Sequence, residues 1–174
     1  NGQMRIYQQI IVGDLVQLTL LDARQYRSPR ACVDPARWRS TLKACPDNTA
    51  PGRTMLGDDQ EYWLGVTLDR SPARWTAIVQ PSMFSHVIQK TAAGEDAAYQ
   101  DGWSAYPAAR QMIIDRIVRR GKQDVVILGG DMHTFIACDV KADFAKPDSA
   151  VIAAEFVSGS ITTQNYNYER WNKT

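Results

Sequence analysis

An acid and an imidazole stand two positions apart at the end of an apolar run, in Val125-Val126-Ile127-Leu128-Gly129-Gly130-Asp131-Met132-His133-Thr134. The paired glycines let the backbone turn sharply and leave the space beside it open. Ligands of α/β sheets gather beyond strand ends, so chemistry is expected here. Read as an extended turn, positions i and i+2 point the same way, and Asp131 and His133 then face one cavity. A carboxylate oxygen and an imidazole nitrogen suit iron, zinc or manganese, and the carboxylate also suits calcium. The same residues carry a plainer reading, in which the acid forms the turn and the histidine is a hydrogen-bonded loop residue. Two donors also fall short of the four or more that a closed metal site needs.

Other reactive side chains are few. His86 is the second histidine, and its position reads as a loop role in preference to ligation. Three cysteines cannot all pair within one chain. A bridge between Cys32 and Cys45 would close a loop of about 14 residues and stabilise by on the order of 3 kcal/mol. Such a bridge points to an exported protein, while two free thiols is the other reading. Cys138 falls in an expected strand and reads as a buried thiol.

The elements that must position these groups follow from pattern. Ile6–Val12 and Leu15–Leu21 read as a hairpin turning at Gly13-Asp14. In the second strand Val16, Leu18 and Leu20 share one face and Leu15, Thr19 and Leu21 the other, so both faces are expected to be covered. Arg27–Gly52 contains Pro29, Pro35, Pro46 and Pro51 and reads as a loop, with a short helix possible at Arg37–Lys43. A helix opens at Leu56-Gly57-Asp58, with Asp58 as cap or first-turn carboxylate, and Ser71-Pro72 stops it. Ala73–Gln80 is a strand and Met83–Gly102 is irregular. Pro107 suits a helix start, Ile113, Ile114, Ile117 and Val118 form its apolar stripe, and Gly121 ends it. Asp124–Leu128, Thr134–Val140 and Val151–Val157 complete the list as strands. The alternation predicts a mixed α/β layered arrangement, neither a bundle nor a sandwich of sheets alone.

Composition narrows the function classes. A chain of 174 residues that is 44% hydrophobic and 22% charged is that of one ordinary globular domain. The net charge of +1 and scattered basic residues give no footprint for nucleic acid. Arg116, Arg119 and Arg120 read as the cationic end of a helix. No apolar run approaches the ~20 residues of a membrane span. The opening residues show neither a charged n-region nor an apolar h-region of a signal peptide. The chain reads as beginning in mid-domain, so an address could lie upstream.

Five segments together resemble the PhoD-type alkaline phosphatases. Gly129-Gly130-Asp131-Met132-His133 resembles that family's late Gly-Asp-x-His motif. Gly13-Asp14-Leu15-Val16 leading to Asp22-Ala23-Arg24-Gln25-Tyr26-Arg27 resembles its strand running into Asp-x-Arg-x-Tyr-Arg. Met55-Leu56-Gly57 followed by Gln60, Trp63 and Leu64 resembles its Met-Leu-Gly helix start. Asp101-Gly102-Trp103-Ser104-Ala105-Tyr106-Pro107 with Arg110 resembles its helix entry, and Glu155-Phe156-Val157 a late strand. The motifs keep the family's order from about Gly13 to Thr163.

The resemblance implies a four-layer αββα metallophosphoesterase sandwich of mixed sheets, with residues 1–174 as the C-terminal half of the domain. It implies metal-dependent hydrolysis of phosphomonoesters or phosphodiesters with iron and calcium, zinc or manganese being possible substitutes. By position, Asp131 and His133 become metal ligands. Arg24 becomes a catalytic and substrate-binding cation near the phosphate, or else the partner of Asp22 or another acid. Asp22, Tyr26, Trp103 and Tyr106 become scaffold. Gln80 becomes a substrate contact, although Pro81-Ser82-Met83 stands where relatives often carry an Asn-Gln pair. The ligands that the superfamily places in its first core strands have no counterpart before Gly13, so the missing half is expected as a separate chain. The alternative is a non-catalytic half that completes a partner's fold, and a weaker third reading is an anion-binding degenerate site. Family habit implies a periplasmic or secreted location.

Overall fold

The computed structural model describes residues 4–33, 42–87, 89–90, 93–121 and 124–163. Its frame is a six-stranded sheet built from β1 (Gln8–Val12), β2 (Val16–Leu20), β4 (Trp75–Val79), β7 (Val125–Gly129), β9 (Val151–Val157) and β8 (Ile136–Lys141), in that spatial order. The four central strands β2, β4, β7 and β9 run parallel, and β1 and β8 close the two edges antiparallel. Short strands β3 (Leu42–Lys43), β6 (Asp96–Tyr99) and β5 (Gln89–Lys90) form a separate three-stranded sheet. Among the described residues the α-helices are α1 (Asp58–Asp69) and α2 (Pro107–Arg120). The architecture is the mixed α/β arrangement that the pattern of elements predicts, and its main sheet is mixed, as the resemblance implies.

The register sorts the sheet into two unlike faces. Thr19, Ile78, Ile127, Glu155 and Cys138 lie side by side across β2, β4, β7, β9 and β8. The first four of these are fully buried, in a core that includes Leu64 and Leu68 of α1 and Ile113, Ile114 and Ile117 of α2. The neighbouring row, Leu20, Val79, Leu128, Phe156 and Ala137, faces the other way. There Leu128 is 37% and Phe156 49% exposed, although both are apolar. Among the described residues the layers therefore cover one side of the sheet. In β2 the buried side is Gln17 and Thr19, while Val16, Leu18 and Leu20 are half-buried, so the expectation of a strand covered on both faces is not met within these residues.

Two buried polar positions show how the helix side tolerates such residues. Gln17 donates to the Thr67 carbonyl and accepts from Gln9, which satisfies an amide with no exposure. Arg120 donates to Thr76 and pairs with Asp124 at 3.2 Å, tying the end of α2 to the start of β7.

Most boundaries follow the local signals. Pro107 occupies the first turn of α2, and Gly121 ends it in the left-handed conformation with φ of 65°. Three segments depart from expectation. Leu42–Lys43 is a strand pairing with β6, not the end of a helix, because a partner supplied from Ala98 and Tyr99 outweighs a weak local preference. The remainder of the expected Arg37–Lys43 helix lies outside the described residues. Met83–Gly102 contains β5 and β6 and is followed at once by a 3-10 turn at Trp103–Ala105. The strand expected from Thr134 begins at Ile136, since residues 131–134 bend.

Cys32 and Cys45 form a disulfide with their Cα atoms 6.0 Å apart, and Cys138 is a free thiol.

Candidate functional site

The carboxyl ends of β2, β4 and β7 lie along one edge of the sheet, and the segments leaving them carry the residues singled out from sequence. After β2 the chain is fixed tightly. The Gln60 side chain of α1 accepts from the Asp22 amide at 2.8 Å and donates to the Asp22 carbonyl at 2.9 Å. The Asp22 carboxylate turns inward and accepts the backbone N–H of Arg24 and Gln25 at 2.9 and 3.0 Å. Tyr106 donates to the Ser28 carbonyl at 2.7 Å and holds the far end of the segment. Asp22 and Tyr106 thus serve as scaffold, and Arg24 is presented from a braced turn.

Arg24 does not pair with Asp22. Its Nη1 lies 2.6 Å from Asp101 Oδ2, and its Nη2 3.1 Å from Asp131 Oδ2. Asp101 is shared: Arg27 Nη2 approaches its other carboxylate oxygen at 2.6 Å, and Arg27 Nη1 donates to its backbone carbonyl. Partial burial works against ionisation of Asp101, yet hydrogen bonds and charge from Arg24 and Arg27 outweigh it and hold the carboxyl below its usual range. Burial likewise opposes the Arg24 cation, and the two acids, Asp101 foremost, more than compensate. Among the described residues, two of the five guanidinium N–H bonds go to these acids, and the fork has others to offer a further acceptor.

Asp131 and His133 sit in the bend that follows β7. Both have left-handed backbones, with φ of 69° and 53°. This conformation is uncommon outside glycine, although Asp and His are among the residues that enter it most readily. The segment is therefore not the extended turn expected from sequence, and simple alternation of side chains does not describe it. Met132, between them, lines a small cavity of about 30 Å³ with Ser82, Tyr99 and Trp103. Asp131 is partly exposed and meets Arg24, while His133 is half-buried.

The approach to this bend demands a glycine. A Cβ on Gly129 would come within 2.5 Å of the Ser82 carbonyl and 2.9 Å of the Gln80 amide nitrogen. Gln80 itself is buried and committed to the protein. Its amide donates to the Ser82 carbonyl, and its oxygen accepts from the Ser82 N–H and from Trp103 Nε1, both at 2.9 Å. Gln80 here organises the turn after β4 beneath Gly129.

Two participants were not assigned roles from sequence. Asp101 enters the sequence reading only as part of a helix-entry motif. Glu155, fully buried on β9, accepts the backbone N–H of Phe84 at 2.6 Å and of Ser85 at 2.8 Å. An acid in the middle of an apolar strand is the signal that could have found it, since a buried carboxylate demands partners. Nearby Arg110 stacks over Phe144 and contacts His86 at 3.4 Å. Burial pulls the Arg110 pKa down to about 10, against the favourable charge of Glu155.

As donors, Asp131 and His133 offer the oxygen and nitrogen that iron, zinc or manganese accept. Among the described residues, the three-donor grouping compact enough for one ion is Cys32, Cys45 and Asp47, and both of its sulfurs are tied up in the disulfide. The donor types after β7 fit a metal site, and two donors are fewer than the four or more that a closed one needs.

The family model of the PhoD-like phosphatases matches residues 1–173 of this chain. Alkaline phosphatase D of Bacillus subtilis is 35% identical over 164 residues, covering 94% of this chain and 27% of that protein. The solved structure of PhoD superposes with a TM-score of 0.83 at 35% identity, covering 92% of this chain and 30% of that one. The chain spans less than a third of the length of these relatives.

Proposed function

The chain belongs to the PhoD-like phosphatase family, and on that footing we propose that it supplies Asp131, His133 and Arg24 to the site of a metal-dependent phosphoester hydrolase. The observation that carries this reading is the contact of Arg24 with Asp131, which puts a phosphate-seeking guanidinium beside a ligand-type carboxylate at the carboxyl ends of parallel strands. Iron and calcium, or zinc or manganese in their place, would supply charge to the phosphoryl oxygens and acidify a water. Asp131 and His133 would hold that charge in place. Their left-handed backbones support the assignment, because strain of this kind is retained chiefly where function requires a particular side-chain placement. Arg24 directs its uncommitted N–H bonds at oxygens of the phosphoryl group, where a rigid fork of donors stabilises developing negative charge. Gln80 acts from below by fixing the turn, and any contact it makes with substrate needs that turn to open.

The remaining ligands come from a segment outside these residues, with this chain as the C-terminal half of the domain. The half-exposed row of Leu20, Val79, Leu128 and Phe156 supports that division, since it matches the inner face of one sheet in a four-layer αββα sandwich. The Cys32–Cys45 disulfide favours an exported, periplasmic or secreted, setting. Among the described residues no helix is long and apolar enough to cross a membrane.

The test is turnover of p-nitrophenyl phosphate and bis-p-nitrophenyl phosphate by this chain together with its N-terminal complement. His133→Ala is expected to abolish turnover and reduce bound metal. Persistence of wild-type activity in that variant would overturn the assignment. The same apolar face favours a second reading, a half that only completes a partner's fold. Under that reading the assembled protein turns over neither ester, and His133→Ala leaves its metal content unchanged.

A further inference from the structure

We propose that Asp101 is the positioning residue that aims Arg24 into the site, the inference resting on the phosphoester reading above. A guanidinium on a long flexible stem needs at least two fixed contacts to hold one orientation. Arg24 has two, and they differ in kind. Asp131 belongs to the bend expected to bind charge and so is engaged by the chemistry itself. Asp101 stands outside that bend and has a second partner of its own in Arg27.

Its fixation is traceable residue by residue. Gly102 and Trp103 follow Asp101 and are buried, and Trp103 has no exposure at all. The Trp103 indole donates to Gln80 Oε1 at 2.9 Å, which ties residue 101 to the turn after β4. Arg27 grips Asp101 twice, through its carboxylate at 2.6 Å and its backbone carbonyl at 3.0 Å. With one carboxylate oxygen taken by Arg27, the other is set to receive Arg24 Nη1. The fork geometry of the guanidinium then places Nη2 toward Asp131. Asp101 also balances the second cation, so that Arg27 does not repel Arg24 from the site. The relay runs from Trp103 and Arg27 through Asp101 to Arg24, and Arg24 is the member that pairs with Asp131.

The experiment uses the active assembly that contains this chain, with p-nitrophenyl phosphate as substrate and inorganic phosphate as inhibitor. Asp101→Asn is expected to lower kcat/KM on the order of tenfold to a hundredfold, the scale expected when a catalytic group is misplaced. The inhibition constant for phosphate should rise in parallel while bound metal stays constant. Combined with Arg24→Ala, the second substitution should cost nothing further, because both remove the same interaction. Millimolar guanidinium should restore part of the Arg24→Ala activity and none in the double variant, a response that a merely structural role for Asp101 would not produce. Asp101→Glu keeps the charge and displaces it, and provides the readout if the asparagine variant does not fold. It should lose several-fold in kcat/KM at an unchanged Tm. Wild-type kcat/KM in both Asp101 variants, or independent multiplicative losses in the double variant, overturns the relay. An inactive wild-type assembly overturns the phosphoester reading and the relay with it, and an active one with indifferent Asp101 variants overturns the relay alone.

Discussion

Arg24 and Asp131 are 107 residues apart in sequence and meet at 3.1 Å, Nη2 to Oδ2. The contact joins the segment leaving β2 to the bend leaving β7 across the end of β4. Its charges are partly open to solvent, with side-chain exposures of 38% and 35%. Pairs of this exposure contribute about 1 kcal/mol or less to stability. The pair therefore matters for where the guanidinium points more than for holding the fold together.

Arg24→Ala should accordingly leave the unfolding midpoint close to that of the parent and reduce kcat by about 10²–10³-fold, the range seen when one preorganised donor is removed from a charged transition state. Arg24→Lys should recover little, since an ammonium cannot span two acids and an oxyanion with a planar fork. Steady-state kinetics paired with thermal denaturation separates the two effects. A large loss of stability in Arg24→Ala, with activity per folded molecule intact, would show the residue to be structural.

The left-handed backbones at Asp131 and His133 give a second expectation. At such a φ, a residue with a Cβ is strained by about 1–2 kcal/mol, and glycine is not. Glycine also gains entropy in the unfolded chain, which offsets part of the relief. His133→Gly should therefore be more stable than His133→Ala by about 1 kcal/mol, with both inactive. Denaturant titration of the two variants measures the difference directly. Equal stabilities would mean that the bend relaxes to an ordinary conformation.

How much of this was legible in the sequence depended on range. Strand Val151–Val157 and helix Pro107–Arg120 rest on local signals and are readable as such, while the Cys32–Cys45 bridge is one of two readings the spacing leaves open. Asp131, His133 and Arg24 could be singled out by residue type and motif. The partners of Arg24 could not, because Asp101 and Asp131 lie 77 and 107 residues away and several acids were equally eligible. The bend at 131–134 departs from the extended reading, since a left-handed Asp and His have no compositional mark beyond the glycines before them. Strands β3, β5 and β6 are two to four residues long and owe their existence to one another, so pattern reading had little to work with.

Gly129 offers a third test, of the packing beneath the site. A methyl group there would stand 2.5 Å from the Ser82 carbonyl, which is backbone and cannot rotate away. Either β7 or the turn after β4 must shift. Gly129→Ala is expected to cost about 1–3 kcal/mol, as overpacking of a close contact does. Because Gln80 and Trp103 share that turn, the shift should also reach Asp101 and lower kcat/KM. Ser82→Ala keeps the backbone carbonyl and should not relieve the clash. An unaltered midpoint in Gly129→Ala would mean that the approach is looser than these distances.

His86 supplies the pH dependence. Burial foremost, and then the adjacent Arg110 cation, depress its pKa below 6.5, while Asp96 opposes them in part. The folded state thus favours the neutral ring, and the unfolded chain binds the proton more readily. Stability from this group is fully present above about pH 6.5 and is lost as pH falls through the depressed folded value. Replacing the ring by a neutral group of similar polarity, His86→Gln, should remove that share of the acid sensitivity. Urea midpoints measured between pH 8 and pH 5 should fall more steeply for the parent than for the variant, the two curves drawing together as pH decreases. Other groups that titrate in this window act on both proteins alike and cancel in the difference. Parallel curves would show that His86 is protonated as easily in the fold as outside it, and that the Arg110 contact at 3.4 Å carries no charge repulsion.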